Sequence, residues 1–88
     1  MAQYTNFTSN TSTGWHRLSS GEAIITAIGN FGGGTLTIEI KNPQGDAAPI
    51  EALTDEFTKT VYFPDAVQVR ATLVGAAAPD IDFNIWGG

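Results

Sequence analysis

Asp80 and Asp82 are the residues whose type and spacing come nearest to a chemical site in this chain. Two positions apart on an extended strand, their carboxylates leave the same face about 7 Å from each other. Paired carboxylates can hold calcium, but calcium takes about six to eight oxygens and only two ligands are visible, so a solvated strand face is the stronger reading. The single histidine, His16, lies between Trp15 and Arg17 with no nucleophile motif beside it, and the chain has no cysteine. General-base or nucleophilic chemistry needs such a partner within hydrogen-bond reach, and no Gly-x-Ser-x-Gly elbow supplies one. His16 is therefore expected at a surface or an interface. Asp46, Asp55 and Glu56 fall in turn-like stretches, where acids satisfy local backbone groups. Gly32-Gly33-Gly34 invites comparison with a phosphate loop, but such loops open into a helix N-terminus. Here the alternation Thr35-Leu36-Thr37-Ile38-Glu39-Ile40-Lys41 follows. The triplet is expected to be a structural turn. No catalytic, cofactor-binding or metal-ligating set can be assembled, and no enzyme is expected.

What remains is contact chemistry. Tyr4, Trp15, Tyr62 and Trp86 are the aromatics expected at or near the surface, Trp86 because its parity opposes that of Ile81, Phe83 and Ile85. Such side chains combine an apolar body with a polar tip and serve as anchors on partner proteins or as platforms for sugar rings. Gly87 and Gly88 directly after Trp86 favour a subunit contact over a sugar. Arg70, between Gln68 and Thr72, is expected to point outward into an ion pair, either between subunits or across strands to Glu39 or Glu51. Tyr4, Phe7, Trp15, His16, Arg70 and Trp86 are thus the candidate interface residues.

The elements that must position them are short strands. Trp15–Leu18 is a weak strand closed by Ser19-Ser20-Gly21. Glu22–Ile28 is apolar on both parities, which predicts a central strand covered on both sides. Thr35–Lys41 turns Leu36, Ile38 and Ile40 to one face and ends at Asn42-Pro43-Gln44-Gly45, a type I turn signature. Ala47–Leu53 contains Pro49, which lacks a ladder donor and confines the strand to an edge. Phe57–Phe63, Ala66–Val74 and a last strand carrying Ile81, Phe83 and Ile85 follow, with Lys59 on the apolar parity of its strand. No segment holds the 3.6-residue period of an amphipathic helix. Seven or eight strands spaced about ten residues apart predict an all-β fold, a small antiparallel sandwich of jelly-roll type. Residues 1–13, with little that is apolar, are expected as a polar arm or an edge strand anchored by Tyr4, and residues 14–88 as the single sandwich domain.

Bulk properties narrow the function further. Eighty-eight residues at 42% hydrophobic make one domain with a modest core. Without disulfides or a zinc set, association with other subunits is the remaining source of stability, so a homo-oligomer is expected. Nine acids against four bases (Arg17, Lys41, Lys59, Arg70) give a net charge of −5, which argues against direct nucleic-acid binding and against an anionic membrane surface. The start, Met1-Ala2-Gln3-Tyr4, has neither basic leader nor apolar run, and synthesis in a cytoplasm without a signal peptide is expected.

Two segments carry a resemblance. They are Ile28-Gly29-Asn30-Phe31-Gly32-Gly33-Gly34-Thr35-Leu36-Thr37-Ile38 and Val67-Gln68-Val69-Arg70-Ala71-Thr72-Leu73-Val74-Gly75-Ala76. In order and spacing the chain resembles small virion proteins of tailed bacteriophages, with a "GxFGGxTxTL" turn and strand, then a "VRAxxxGA" strand. The "DGTxW" hairpin of that pattern is replaced by Gln44-Gly45-Asp46-Ala47-Ala48-Pro49, without its tryptophan. The resemblance implies a structural role on the virion: a capsid decoration or cement protein, or a head- or tail-fibre component. The implied partner is the major capsid protein or another virion protein, with a trimer as the expected oligomer.

Overall fold

The computed structural model of the protein describes residues 2–87, with the side chains of Ala2 and Gln3 outside that description. Met1 and Gly88, the outer ends of the two expected spans, also lie outside it. Eight strands follow in order: β1 Ala2–Phe7, β2 His16–Leu18, β3 Gly21–Asn30, β4 Thr35–Lys41, β5 Ala47–Leu53, β6 Phe57–Phe63, β7 Val67–Val74 and β8 Asp80–Gly87. Among the described residues no helix is long and apolar enough to cross a membrane.

Period-two patterning makes these strands and also decides which side of each is inner. In β4, Leu36 and Ile38 are fully buried while Thr35 and Thr37 between them are not. In β7, Val69, Ala71 and Leu73 are buried and Arg70 and Thr72 stay partly open. The strands form two four-stranded sheets, β1-β8-β3-β6 and β2-β7-β4-β5, in which every neighbouring pair is antiparallel. Only β4 and β5 are joined as a hairpin within one sheet; every other connection crosses to the opposite sheet. This is the wiring of a jelly roll, the fold class expected from the sequence.

Between the sheets lies one apolar cluster that includes Phe7, Leu18, Ile25, Leu36, Ile38, Leu73, Ile81, Phe83 and Ile85. Full burial of such a side chain contributes about 1.5–3 kcal/mol. Phe7, one of the residues expected at an interface, is 0% exposed. It meets Phe83 edge-on at 6.1 Å between ring centroids. Its place in a polar tract disguised a core anchor: β1 runs beside β8 in unbroken register from Ala2↔Trp86 to Phe7↔Ile81, and strand parity turns Phe7 inward. Residues 2–7 thus take the edge-strand form of the two open readings.

A second expectation is corrected at β3. It is central, between β8 and β6, but covered on one side only: Ala23, Ile25 and Ala27 are buried, while Ile28 is 54% exposed and Ile24 partly so. An apolar run looks the same in sequence whether one face or both are covered.

The glycine triplet joins β3 to β4 across the sandwich. Gly34 N–H donates to Phe31 O at 2.9 Å, closing a turn whose central residues, Gly32 and Gly33, have φ of 59° and 77°. The turn docks on the β7–β8 loop, where Ala77 N–H donates to Gly32 O at 2.9 Å. A Cβ at Gly34 would stand 2.7 Å from the Ala76 Cβ. The two segments that carry the family resemblance therefore touch at this joint.

Candidate interaction faces

Apart from Phe7 in the core, strand parity and register place the candidate side chains on one of two outer faces or at a rim between the sheets. On the β1-β8-β3-β6 sheet, here face A, Asp80, Asp82, Asn84 and Trp86 of β8 alternate with buried Ile81, Phe83 and Ile85. Register sets Tyr4 beside Asn84, Asn6 beside Asp82, Ile28 beside Asp82 from the other side, and Ile24 beside Trp86. β6 adds Thr58, Thr60 and Tyr62 opposite Thr26, Ile24 and Glu22. Tyr4 is 61% exposed and Tyr62 67%.

Asp80 and Asp82 do share a face, as their spacing requires, but they are held by hydrogen-bond donors. Tyr4 OH donates to Asp82 Oδ1 at 2.8 Å, and Asn6 Nδ2 lies 3.0 Å from Asp80 Oδ1 and 3.1 Å from Asp82 Oδ1. The bond to Asp82, and next slight desolvation and then the negative field of both carboxylates, raise the Tyr4 phenol above the usual tyrosine range. Among the described residues no group of three or more His, Asp or Glu is placed to hold a metal ion, and no cavity opens on either face.

On the β2-β7-β4-β5 sheet, face B, charges are paired instead. Arg70 donates through Nε to Glu39 Oε1 at 3.1 Å and through Nη2 to Glu39 Oε2 at 3.3 Å, and Thr72 Oγ1 donates to Glu39 Oε1 at 2.8 Å. Of the three ion-pair partners open to Arg70, the structure selects cross-strand Glu39; Glu51 pairs with Lys59. The Arg70 bond, with the Thr72 bond and the nearby guanidinium charge, holds the Glu39 carboxyl below the usual range although partial burial opposes this. Trp15 lies under two of the face-B cations, with Arg70 Cζ 4.5 Å and Lys41 Nζ 5.0 Å from its ring centroid. Trp15 is half-buried in this clamp. His16, the first residue of β2, opposes buried Val69, so it sits on the inner parity at the rim and is partly covered.

Residues 8–14 tie the two sheets together. Asn10 brackets Ala76, accepting from its N–H at 2.8 Å and donating to its carbonyl at 2.9 Å. Thr13 N–H donates to Ala71 O, and its buried Oγ1 accepts from Ala71 N–H at 3.0 Å. Sequence reasoning missed Ile24, Ile28 and Asn6 on face A and Lys41 over Trp15 on face B. The parity of Ile24 and Ile28 was visible; which parity would stay open was not. Asn6 and Asp82 are 76 positions apart, and no local signal links them.

Compared with protein-family models, with curated proteins and with solved structures, the chain matches none.

Proposed function

We propose that the protein is a virion structural component, a capsid decoration protein that bridges major capsid subunits from outside as a homo-oligomer. The observation that carries this reading is face A: Tyr4, Tyr62 and Ile28 are all more than half exposed on one sheet, beside the partly open Ile24 and Trp86. Large apolar side chains gathered on one face, rimmed by polar groups, are the usual mark of a protein-contact surface. Tyrosine and tryptophan are enriched among the few residues that carry most of the energy at such contacts. The family resemblance of residues 28–38 and 67–76 supplies the setting, a phage head. In this role the protein is made in the host cytoplasm, joins the particle by assembly, and needs no cofactor, membrane or nucleic acid. The test is co-sedimentation of the purified protein with particles lacking it, followed by heating and low-salt challenge. The decoration reading expects binding and a gain in particle survival; particles that withstand both challenges equally well without the protein would refute it.

A second reading, a fibre or carbohydrate-binding module that touches a host surface, is favoured by one feature. Tyr4 stands open beside Asn84 and Asn6, an aromatic plane next to hydrogen-bonding amides. A glycan array with hits that disappear in Trp86→Ala would select this reading over decoration.

A further inference from the structure

A two-sheet sandwich has four edge strands, each presenting a row of unpaired backbone groups that can template another chain. Three of the four edges here carry a device against that. β5 contains Pro49, and its register with β4 breaks between Ile38 and Glu39, leaving Ile50 as an extra residue in a bulge. β6 turns a charge inward: Lys59 opposes buried Ile25, and its ammonium meets Glu51, which opposes buried Ile38 on the other sheet. β2 is only three residues long.

β1 carries none of these devices. Ala2-Gln3-Tyr4-Thr5-Asn6-Phe7 has no proline, glycine or charged residue and keeps six consecutive partners on β8 without a shift. The backbone bonds outside the ladders, among the described residues, involve none of residues 2–7, so the outer edge of β1 is free. At about 3.4 Å per residue this free edge is roughly 20 Å long.

We propose that β1 pairs antiparallel with β1 of a second copy of the chain about a two-fold axis. The two β1-β8-β3-β6 sheets then become one eight-stranded sheet. The occupant is argued from self-complementarity. A strand added here must be regular, uncharged and of matching parity, and β1 is the one edge strand of this chain that meets all three conditions. Antiparallel pairing of a strand with its own copy is isologous, so it closes at two subunits and leaves no edge for a third. With the axis through Thr5, Tyr4 of one copy faces Asn6 of the other, outer side chain against outer side chain, and Phe7 stays on the inner side of both. Face A then runs unbroken across the dimer. The inference does not rest on the decoration reading, because it concerns the free protein.

Sedimentation of the full chain over a wide concentration range tests it. The dimer is expected, with Tyr4→Lys/Asn6→Lys weakening it at least about a hundredfold. Those ammonium groups would sit beside Asp80 and Asp82, which favours the fold of each copy, while facing one another across the axis. A control on the opposite edge of the same sheet, Thr60→Lys/Tyr62→Lys, should leave the dimer intact. Hydrogen exchange on the unaltered chain needs no variant: β1 amides should gain protection as concentration rises, and β6 amides should not. A chain that stays monomeric at its highest soluble concentration would overturn the inference. So would an oligomer, trimer included, in which β1 amides gain no protection.

Discussion

Faces A and B are built from different strands by the same alternation, yet they spend their polar and aromatic side chains differently. On face B a tryptophan and three charged residues are consumed internally: Glu39 is gripped by Arg70 and Thr72, and Arg70 and Lys41 cover Trp15. On face A the acids are held by a phenol and an amide rather than by a cation, and Tyr4, Tyr62 and Ile28 face water. An aromatic whose contacts are satisfied within its own chain contributes to stability. One whose ring stays open contributes little until a partner covers it. Face B still leaves Val74 54% exposed at the end of β7, so the contrast lies in the aromatics: covered on face B, open on face A.

The joint that both faces share gives the largest expected effect. Gly34→Val would push a side chain into Ala76, whose Cβ lies 2.7 Å from where a Cβ at Gly34 would stand, and should cost about 3 kcal/mol or more in urea unfolding. Gly33 has open space around it but a φ of 77°, so Gly33→Ala should cost only about 1–2 kcal/mol. Equal losses at the two sites would show that packing against the β7–β8 loop does not matter.

Arg70→Ala attacks face B alone. It removes the stacking on Trp15 and leaves Glu39 partly buried with only Thr72, for an expected loss of about 1–3 kcal/mol and a shift in tryptophan fluorescence. A loss below about 0.5 kcal/mol would erase the distinction between the faces.

The pH dependence of the same pair gives a smaller effect. The Glu39 carboxyl is lowered in the folded chain, so the unfolded chain takes up a proton first as the solution is acidified. The stabilisation is complete above the ordinary glutamate value of about 4.3 and fades as pH falls through the lower folded value. Melting temperatures recorded from neutral pH down to about pH 3 should therefore fall less steeply in Arg70→Ala than in the parent.

The smallest expected change in stability is on face A. Tyr62→Ala and Ile28→Thr should each stay within about 0.5 kcal/mol of the parent in urea unfolding, because both side chains are mostly in water. The same variants should weaken binding to particles, the one measurement in which face A outweighs face B. Loss of stability without loss of binding would reverse the assignment.

Several elements were legible to the residue. Thr35–Lys41, Ala47–Leu53 and Phe57–Phe63 coincide with β4, β5 and β6, because clear alternation or Pro49 is bracketed by Gly, Pro and Asp turn signals. The glycine turn, the edge position of Ala47–Leu53 and the shared face of Asp80 and Asp82 followed from backbone rules in the same way. Phe7 was not legible, since a lone apolar residue among threonines and asparagines has no periodic neighbours to reveal its inner parity. The open side of β3 was not legible either, because burial depends on what lies across the sheet.

By itself, then, the sequence determined the local quantities: where strands begin and end, which residues alternate, where the chain must turn, and that no reactive set stands together along it. These depend on dihedral preferences and on neighbours one to four positions away. Only the tertiary structure decided that β1 lies on β8, that Arg70 selects Glu39 and stacks on Trp15, and that Ile28 and Tyr62 stay open. Those outcomes depend on contacts between residues 31 to 84 positions apart. Their energies are set by the whole sandwich, and no local pattern records them.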